Sequence, residues 1–379
     1  MKIGILTLYY KNHNFGGLLQ AYALQKAIEE IGSSAEQICY KMGQAPKSRK
    51  ILLNIGYKGI LGTIKMLFKS NKKANKLRMA RGEAFDKFEE KVPHSDRVYD
   101  FNSVAEATAL YDAFIVGSDQ IWNAGSDFPR FCLDFVKGKK KLSYAASLNA
   151  DSLVRTQRTE LVQYLDDFSG IAVREQGVAN ILKTLTRKDV ECVVDPVFLL
   201  DGNRWDKIGK KPNINENYVL CYFLGDDREQ RKSVVEFAKI VNCKLVFFPH
   251  IINESYRSCD NDIGDIQETS GGPEEFLGWI ENAQYIITDS FHAVAFSVIF
   301  HKCFFALPRY VNGQKKMNNR QIDFLKSIGL QERFIQAETL KSSAVNKSID
   351  YSVVDEIIAR RRKESYDYLK TALGIQNEV

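Results

Sequence analysis

The stretch that decides the fold is KIGILTLYYKNHNFGGLLQAYALQKAIEEIGSSAEQICY, residues 2–40. An apolar, β-rich run ends in a turn that contains Asn14, Gly16 and Gly17, and apolar residues at helical spacing follow it. Gly32 ends the helical pattern, and AEQICY follows as a second strand. This order of strand, glycine turn, helix and strand predicts the opening of a doubly wound α/β domain.

The same alternation continues along the rest of the chain. The segments AFIVG, KLSYAAS, GIAVRE and CVVDPVFLL predict strands, with the helix TELVQYLDDFSG among them. After residue 213 the predicted strands are YVLCYFL, KLVFFP, YIITDS and CFFAL, and the predicted helices are EQRKSVVEFAKIV, PEEFLGWIENA and FHAVAFSVIF. Such alternation predicts parallel sheets. We therefore predict an α/β protein with two Rossmann-like domains facing across a cleft, residues 1–200 and 201–350, and a charged helix in 351–379.

Positive charge is concentrated in one insertion of the first domain, placed near residues 41–90. The net charge is +6, yet the segment 41–82 contains 12 Lys or Arg residues and no acidic residue, so the remainder sums to −6. A nucleic-acid-binding protein would spread basic charge over its binding face, so we expect no nucleic-acid partner. The insertion predicts a helical hairpin with a solvated basic face, and peripheral contact with anionic lipid is the alternative.

The composition favours a cytoplasmic protein. With 45% hydrophobic residues the chain can build real cores, and no apolar run reaches the ~18 residues of a membrane span. The first residues lack a signal-peptide cleavage site. Seven cysteines occur singly, without a C-x-x-C pair, which is typical of reduced, buried thiols. No histidine spacing suggests a metal site, so none is assigned.

Polar residues cluster where predicted strands end. The turn at Asn14, Gly16 and Gly17 can present backbone N–H groups to an anion at a helix N-terminus, although a tight turn without a ligand fits equally well. Ser118, Asp119 and Gln120 follow the strand AFIVG and suit the recognition of sugar hydroxyls or, alternatively, a helix cap. At the end of GIAVRE, Arg174 can bind a carboxylate or phosphate, or else form a surface pair with Glu175.

The strongest candidate is the segment Thr288-Asp289-Ser290-Phe291-His292, between a predicted strand and helix. His292 falls in the first helical turn, where the helix dipole disfavours a positive charge. A histidine there is well placed to hold or release a proton beside a bound anion. A buried histidine with satisfied hydrogen bonds is the alternative.

Taken together, these motifs carry a family resemblance. NFGGLLQAYALQ, VGSDQIWN, LSYAAS, AVREQ, VVDPVFLL and ITDSFHAVAFSVIF occur in this order. The set resembles the polysaccharide pyruvyl transferase family over roughly residues 2–335. The resemblance implies a fold like that of GT-B glycosyltransferases, with the helix in 351–379 packing back on the first domain. It also implies phosphoenolpyruvate as the co-substrate, no further cofactor, and a pyruvate ketal on a sugar of a cell-surface polysaccharide, such as a capsule or exopolysaccharide.

The resemblance also assigns roles to residues. The family histidine falls on His292 and the strand-end arginine on Arg174, while the backbone at Phe291 would help to hold the donor. Some members have an arginine two residues before the histidine, where this chain has Ser290, so Ser290 is also expected at the donor-binding site. Arg320, in an N-x-R element found in relatives of this subtype, is the cation expected to substitute.

Some members also have an acidic residue where this chain has Gly17, so Asp119 is the base expected to act on the acceptor. The acceptor would be a sugar or oligosaccharide, and a lipid-linked one would place the protein at the inner face of the membrane, with contact through 41–82.

Two other functions fit the same sequence. A GT-B glycosyltransferase that uses a nucleotide sugar has the same fold, since fold alone does not select the donor. A catalytically inactive carbohydrate-binding relative is the third possibility, in which the loss of the arginine at Ser290 has ended turnover. Binding of a nucleoside diphosphate would identify a glycosyltransferase. Sugar binding without phosphate release would identify the inactive carbohydrate-binding relative.

Overall fold

A computed structural model describes residues 1–43, 72–123, 125–148, 155–252, 255–311, 313–316, 318–342 and 348–375. The predicted hairpin and membrane contact of the basic insertion depend on residues 44–71, which lie outside the described residues. The helix Lys72–Glu89, α2 below, completes the insertion.

The first sheet contains six parallel strands in the order β2-β1-β3-β4-β5-β6. Its strands are β1 (Lys2–Leu6), β2 (Ser34–Gln37), β3 (Ala113–Val116), β4 (Lys140–Ala146), β5 (Gly170–Val173) and β6 (Val190–Cys192). The helices in this part of the chain are α1 (Phe15–Glu30), α2 (Lys72–Glu89), α3 (Arg155–Leu165) and α4 (Gln176–Leu185). The chain reverses its direction of winding between β1 and β3, which makes their carboxyl ends a switch point.

The second sheet contains five parallel strands in the order β11-β8-β7-β12-β13. The strands after residue 200 are β7 (Tyr218–Tyr222), β8 (Lys244–Phe248), β9 (Ile251–Ile252), β10 (Ser255–Tyr256), β11 (Ile266–Gln267), β12 (Tyr285–Thr288), β13 (Cys303–Ala306), β14 (Arg309–Val311) and β15 (Gln314–Lys316). The helices are α5 (Gly202–Asp206), α6 (Arg228–Ile240), α7 (Pro273–Asn282), α8 (Phe291–Ile299), α9 (Asn319–Ser327) and α10 (Tyr351–Leu373). Here the switch point lies between β7 and β12. The predicted domain boundary near residue 200 stays a prediction.

The C-terminal helix α10 packs against the first sheet. The Tyr368 hydroxyl donates to the backbone oxygen of Ser143 on β4 (2.8 Å), and the Ser365 hydroxyl accepts from the backbone N–H of Val194 (3.1 Å). This helix therefore returns to the first domain, as the resemblance implied.

The two sheets are joined through an aromatic contact at the start of α1. The ring of Phe15 stacks on that of Phe276 in α7, with centroids 4.3 Å apart, and also contacts Phe248 at the end of β8. Arg81 of α2 is buried and donates to the backbone oxygens of Pro249 and Glu268. These contacts set the N-terminus of α1 directly against the second sheet.

One predicted strand is shorter than expected. The segment CVVDPVFLL does not continue β6 beyond Cys192. The Val194 N–H donates to the Ser365 hydroxyl of α10 and not to a strand, and Pro196 has no N–H group with which a strand could resume. A short 3₁₀ turn, Pro196–Phe198, follows instead, and the Asp195 side chain caps it by accepting from the Val197 N–H. The carboxylate of Asp195 is thereby held at the carboxyl edge of the first sheet.

Candidate functional site

The two switch points face each other, and His292 lies where they meet. His292 is in the first turn of α8, which Ser290 caps through its side chain. A Cβ atom added to Gly16 would lie 1.9 Å from the His292 Nδ1 atom. A residue larger than glycine at position 16 would occupy the space of the imidazole. The first turn of α1 and the first turn of α8 thus form one site across the cleft.

Arg174 and His292 share a buried carboxylate, that of Asp195. Arg174 donates through Nη1 to Asp195 Oδ2 at 2.6 Å, and His292 Nε2 lies 3.6 Å from the same oxygen. Burial alone would raise the pKa of Asp195, but His292 and Arg174 outweigh it and hold that pKa well below its usual range. Asp195 is therefore ionised and can stabilise a protonated imidazole ring.

Arg174 is also held by its neighbour in sequence. Its Nε donates to Glu175 Oε1 (3.2 Å), which accepts a second hydrogen bond from the Ser147 hydroxyl (2.7 Å). The guanidinium lies over the Phe291 ring, 4.4 Å from its centroid. Burial would lower the pKa of Arg174, but Glu175 and Asp195 raise it, so this arginine is a fixed cation.

Arg320 joins the site from α9. Its Nη1 lies 3.6 Å from Asp119 Oδ1, and the side chain is 13% exposed. Burial, together with the repulsion of Arg174, lowers the pKa of Arg320 to about 10. The direction of this shift shows that Asp119 and Glu175 only partly offset the burial of the guanidinium and the repulsion of Arg174.

Three nitrogen atoms in this cluster are buried without a hydrogen-bond partner among the described residues. They are Arg174 Nη2, Arg320 Nε and His292 Nε2. A buried donor left unsatisfied costs about 1–3 kcal/mol, and more when it is charged. A bound anion would remove that cost, which makes the cluster a candidate anion site.

A cavity of about 440 Å³ opens beside this cluster. Arg174, Phe291 and Arg320 line its inner end, and α9 and α10 form its outer walls. Its size lies within the range of small-molecule sites.

The structure brings together most of the residues singled out in the sequence. Around His292 lie Arg174, Phe291, Ser290, Arg320 and Gly16, and Asp119 is reached through Arg320. The Ser118 hydroxyl donates to Asp195 Oδ2 (3.2 Å), and Gln120 follows Asp119 in the chain. Asn14 caps α1 by accepting from the Gly17 N–H (3.0 Å). Their proposed roles in donor binding, acceptor binding and catalysis stay predictions.

Sequence reasoning missed Asp195 and Arg309, and it assigned no role to Asp289, although Asp289 lies in the segment 288–292 that it singled out. Asp195 follows β6, so its place on the same sheet edge as Arg174 could have been inferred. Asp289 accepts from the N–H groups of Leu224 and Gly225, and Arg309 donates to its backbone oxygen (2.8 Å). The approach of Arg309 depends on how the hairpin β14–β15 folds back, which no local pattern indicated.

Two further observations concern metals and membranes. Within the described ranges, no group of three or more His, Cys, Asp or Glu side chains is placed to hold a metal ion. The same part of the chain contains no helix that is both long and apolar enough to cross a membrane. The expectation that the site works without a metal stays a prediction.

Comparison with known proteins identifies the fold and a family. The family model for polysaccharide pyruvyl transferase matches residues 14–309. UDP-GlcNAc 2-epimerase from Methanocaldococcus jannaschii is similar in structure, with a TM-score of 0.52 and 13% identity over 92% of this chain and 93% of that chain. A putative UDP-N-acetylglucosamine 2-epimerase from Listeria monocytogenes has a TM-score of 0.54 and 10% identity over 99% and 97% of the two chains.

A glycosyltransferase-type structure is similar to the same degree. Arabidopsis thaliana UGT89C1 complexed with UDP-L-rhamnose has a TM-score of 0.53 and 8% identity over 99% of both chains. At these identities the similarity shows the fold alone, which is of the GT-B type, and the predicted fold class is confirmed. The sequence matches none of the curated proteins with which it was compared.

Proposed function

The chain belongs to the polysaccharide pyruvyl transferase family, and from this premise we propose that it transfers the pyruvyl group of phosphoenolpyruvate onto two hydroxyls of one sugar. The products are a cyclic pyruvate ketal and inorganic phosphate. The acceptor is a sugar of a cell-surface polysaccharide or of its precursor, including a lipid-linked one.

The observation that carries the proposal is the set of unsatisfied nitrogen atoms around His292. Phosphoenolpyruvate has a carboxylate and a phosphate on one small carbon frame, so its site needs at least two cations close together. Arg174 and Arg320 supply them, and each has a buried N–H group without a partner in the described structure. Charged hydrogen bonds of this kind are worth about 1.5–3 kcal/mol each. The N-terminus of α8 adds backbone N–H groups at Phe291 and His292.

His292 is the proton donor of this proposal. The reaction begins when a proton is added to the methylene carbon of the donor, which leaves the central carbon electrophilic. The Nε2 atom of His292 has no hydrogen-bond partner within the described chain and lies beside Asp195, which stabilises the protonated ring. A positioned general acid contributes roughly 100- to 10,000-fold to a rate. Phosphate then leaves from a site lined with arginine.

Thermal unfolding with millimolar phosphoenolpyruvate tests the donor. At about 100 times its dissociation constant, the ligand adds about 2.7 kcal/mol to the free energy of unfolding, a rise of several degrees. Arg320→Gln should weaken binding about 10- to 100-fold, since one charged hydrogen bond is lost. Arg228→Gln, at an exposed arginine of α6, is the matched control and should bind like the wild type.

The same experiment with uridine diphosphate separates the competing function. Stabilisation by uridine diphosphate but not by phosphoenolpyruvate would contradict the proposal and indicate a nucleotide-sugar glycosyltransferase. The acceptor is sought with a glycoside panel, defined as the p-nitrophenyl β-glycosides of D-galactose, D-glucose, D-mannose, N-acetylglucosamine and N-acetylgalactosamine. Phosphate release that depends on a member of the panel would exclude an inactive sugar-binding protein.

A further inference from the structure

Helix α9 presents more than Arg320 to the cavity beside His292. Asp323, Phe324 and Ser327 lie on the same side of α9, at the helical spacing of three and four residues, and all line the cavity. The opposite wall comes from the first domain, at the junction of β5 and α4, and the outer wall from α10. The cavity is thus enclosed by both domains and opens inward on Arg174 and Phe291.

Three aromatic side chains line this cavity, of which Phe198 and Phe291 are buried and Phe324 is partly exposed. Phe324 lies between two others, with its centroid 5.1 Å from that of Phe198 and 5.6 Å from that of Phe291. Sugar rings have apolar C–H faces and a rim of hydroxyls. A site for such a molecule combines aromatic surface with a few hydrogen-bonding groups.

The charges of the cavity are balanced. Four arginines line it, and four carboxylates match them. Most of these groups are engaged: Arg174 with Asp195, and Arg361 with the Ser327 hydroxyl (2.7 Å). A cavity of this composition suits a neutral polyhydroxyl molecule at its outer part, next to an anion held by Arg174 and Arg320 at its inner end.

Asp323 differs from the other carboxylates of the cavity. Its side chain is exposed and makes neither a hydrogen bond nor an ion pair with any residue of the described ranges. One of its oxygens, Oδ2, lies 3.8 Å from the position of a Cβ atom at Gly177, so it faces the first turn of α4. An ionised carboxylate only accepts hydrogen bonds, so Asp323 can accept one from water or from a hydroxyl group of a ligand bound in the cavity.

We propose that this cavity is the acceptor subsite and that Asp323 is the base that takes the proton of the attacking sugar hydroxyl. The inference rests on the proposed function and goes beyond it, because it names a residue and a binding surface for the acceptor. It also proposes Asp323 in place of Asp119 as the base, since Asp119 is paired with Arg320.

The proton balance is complete with these residues. His292 gives a proton to the methylene carbon of phosphoenolpyruvate, and the first hydroxyl oxygen bonds to the central carbon as its proton passes to Asp323. The second hydroxyl oxygen then bonds to the same carbon, the bond from carbon to the phosphate oxygen breaks, and that hydroxyl proton leaves with the phosphate. Asp323 finally returns its proton through solvent, and His292 is reprotonated.

The surroundings of Asp323 favour this role. Burial and the nearby Glu175 carboxylate raise the pKa of Asp323, whereas Lys326 on its own helix opposes the shift. The other charged groups that line its cavity are Arg174 and Asp195 of the first domain, Arg320 on α9, and Arg360, Arg361 and Glu364 on α10. A raised pKa makes the carboxylate a better proton acceptor than an ordinary aspartate, because base strength rises with pKa.

Asp323→Asn and Phe324→Ala test the subsite against the glycoside panel. Saturation-transfer NMR should show at least one glycoside bound to the wild type and at least ~10-fold weaker binding to Phe324→Ala. Asp323→Asn should lower ketal formation at least ~100-fold and remove the fall of activity at acidic pH, and Asp323→Glu should restore part of both. Asp367→Asn, an exposed carboxylate outside the cavity, is the matched control and should leave both readouts unchanged.

Three results would overturn the subsite: wild-type rate and pH profile in Asp323→Asn, unchanged glycoside binding in Phe324→Ala, or no binding of any glycoside by the wild type. Thermal stabilisation by phosphoenolpyruvate separates this failure from that of the proposed function. If the stabilisation persists, only the subsite is wrong, and if the wild type lacks it, the donor assignment itself fails.

Discussion

Gly16→Ala is the change that probes the meeting of the two domains most sharply. The added Cβ atom would lie 1.9 Å from Nδ1, 2.3 Å from Cγ and 2.5 Å from Cε1 of His292. Non-bonded heavy atoms approach favourably only to about 3.5 Å, so the imidazole must retreat by roughly 1.5 Å. Gly16 lies inside α1, whose backbone is fixed by the buried contacts of Phe15, so the ring moves and not the helix.

We expect Gly16→Ala to lower the reaction rate and to leave the free energy of unfolding nearly unchanged. A misplacement of about 1 Å can lower a rate ~100-fold, which is about 2.7 kcal/mol in the activation free energy. Alanine is a better helix former than glycine by about 1 kcal/mol, which offsets part of the strain in the folded state. Binding of phosphoenolpyruvate through Arg174 and Arg320 should be retained.

The assay is phosphate release from phosphoenolpyruvate with the most active member of the glycoside panel, beside thermal unfolding with phosphoenolpyruvate alone. Gly82→Ala is the matched control, because its Cβ atom would also approach a histidine, His13, but only to 3.2 Å and without contact with His292. The control should keep its turnover. Turnover of Gly16→Ala within twofold of the wild type would refute the placement of His292 at the reacting centre.

Three further predictions concern stability. Asp195→Asn should lower the free energy of unfolding by about 3 kcal/mol in urea titrations, because it leaves Arg174 buried with one partner fewer. Since the folded pKa of Asp195 is depressed, this contribution is present above pH ~4 and is lost as the pH falls further, so wild type and variant should converge only in strong acid. Burial, then Arg257 and Arg309, lowers the pKa of His250 to about 3. Protonation of His250 therefore favours the unfolded chain. Between pH 6.5 and 3, the free energy of unfolding of the wild type should fall by up to about 1.4 kcal/mol per pH unit more than that of His250→Gln. Ser290→Ala should lower the free energy of unfolding by about 1 kcal/mol through loss of the α8 cap, whereas Ser352→Ala, at an exposed serine that caps no helix, should cost less; an equal loss in the two variants would contradict the cap.

The fold could be predicted from the sequence because strands and helices leave local patterns of apolar residues. Period-two and period-3.6 patterns alternate along the chain, and glycine ends the helices, so the parallel sheets follow from pattern and connection length. The same logic placed Asp119, Arg174 and His292 at strand ends. The strand predicted for CVVDPVFLL failed at Pro196, a residue whose effect on sheet hydrogen bonding could have been applied.

The contacts across the cleft could not be predicted from such local patterns. Asp195 and His292 belong to different sheets, and their approach depends on how Phe15 docks against Phe276. No local pattern encodes that docking. The face of α9 was an intermediate case, because the spacing of Arg320, Asp323, Phe324 and Ser327 is visible in the sequence, but which side of the helix faces the cavity is not.

Direct detection of the ketal decides whether the protein is a pyruvyl transferase. The protein is incubated with phosphoenolpyruvate labelled with ¹³C at the methylene carbon and with the glycoside panel, and the carbon spectrum is recorded. The account predicts a new methyl signal of a pyruvate ketal, formed in step with phosphate and absent with His292→Gln. A wild-type protein that forms no ketal methyl signal from any glycoside, but transfers sugar from a UDP-sugar to the same panel, would contradict it.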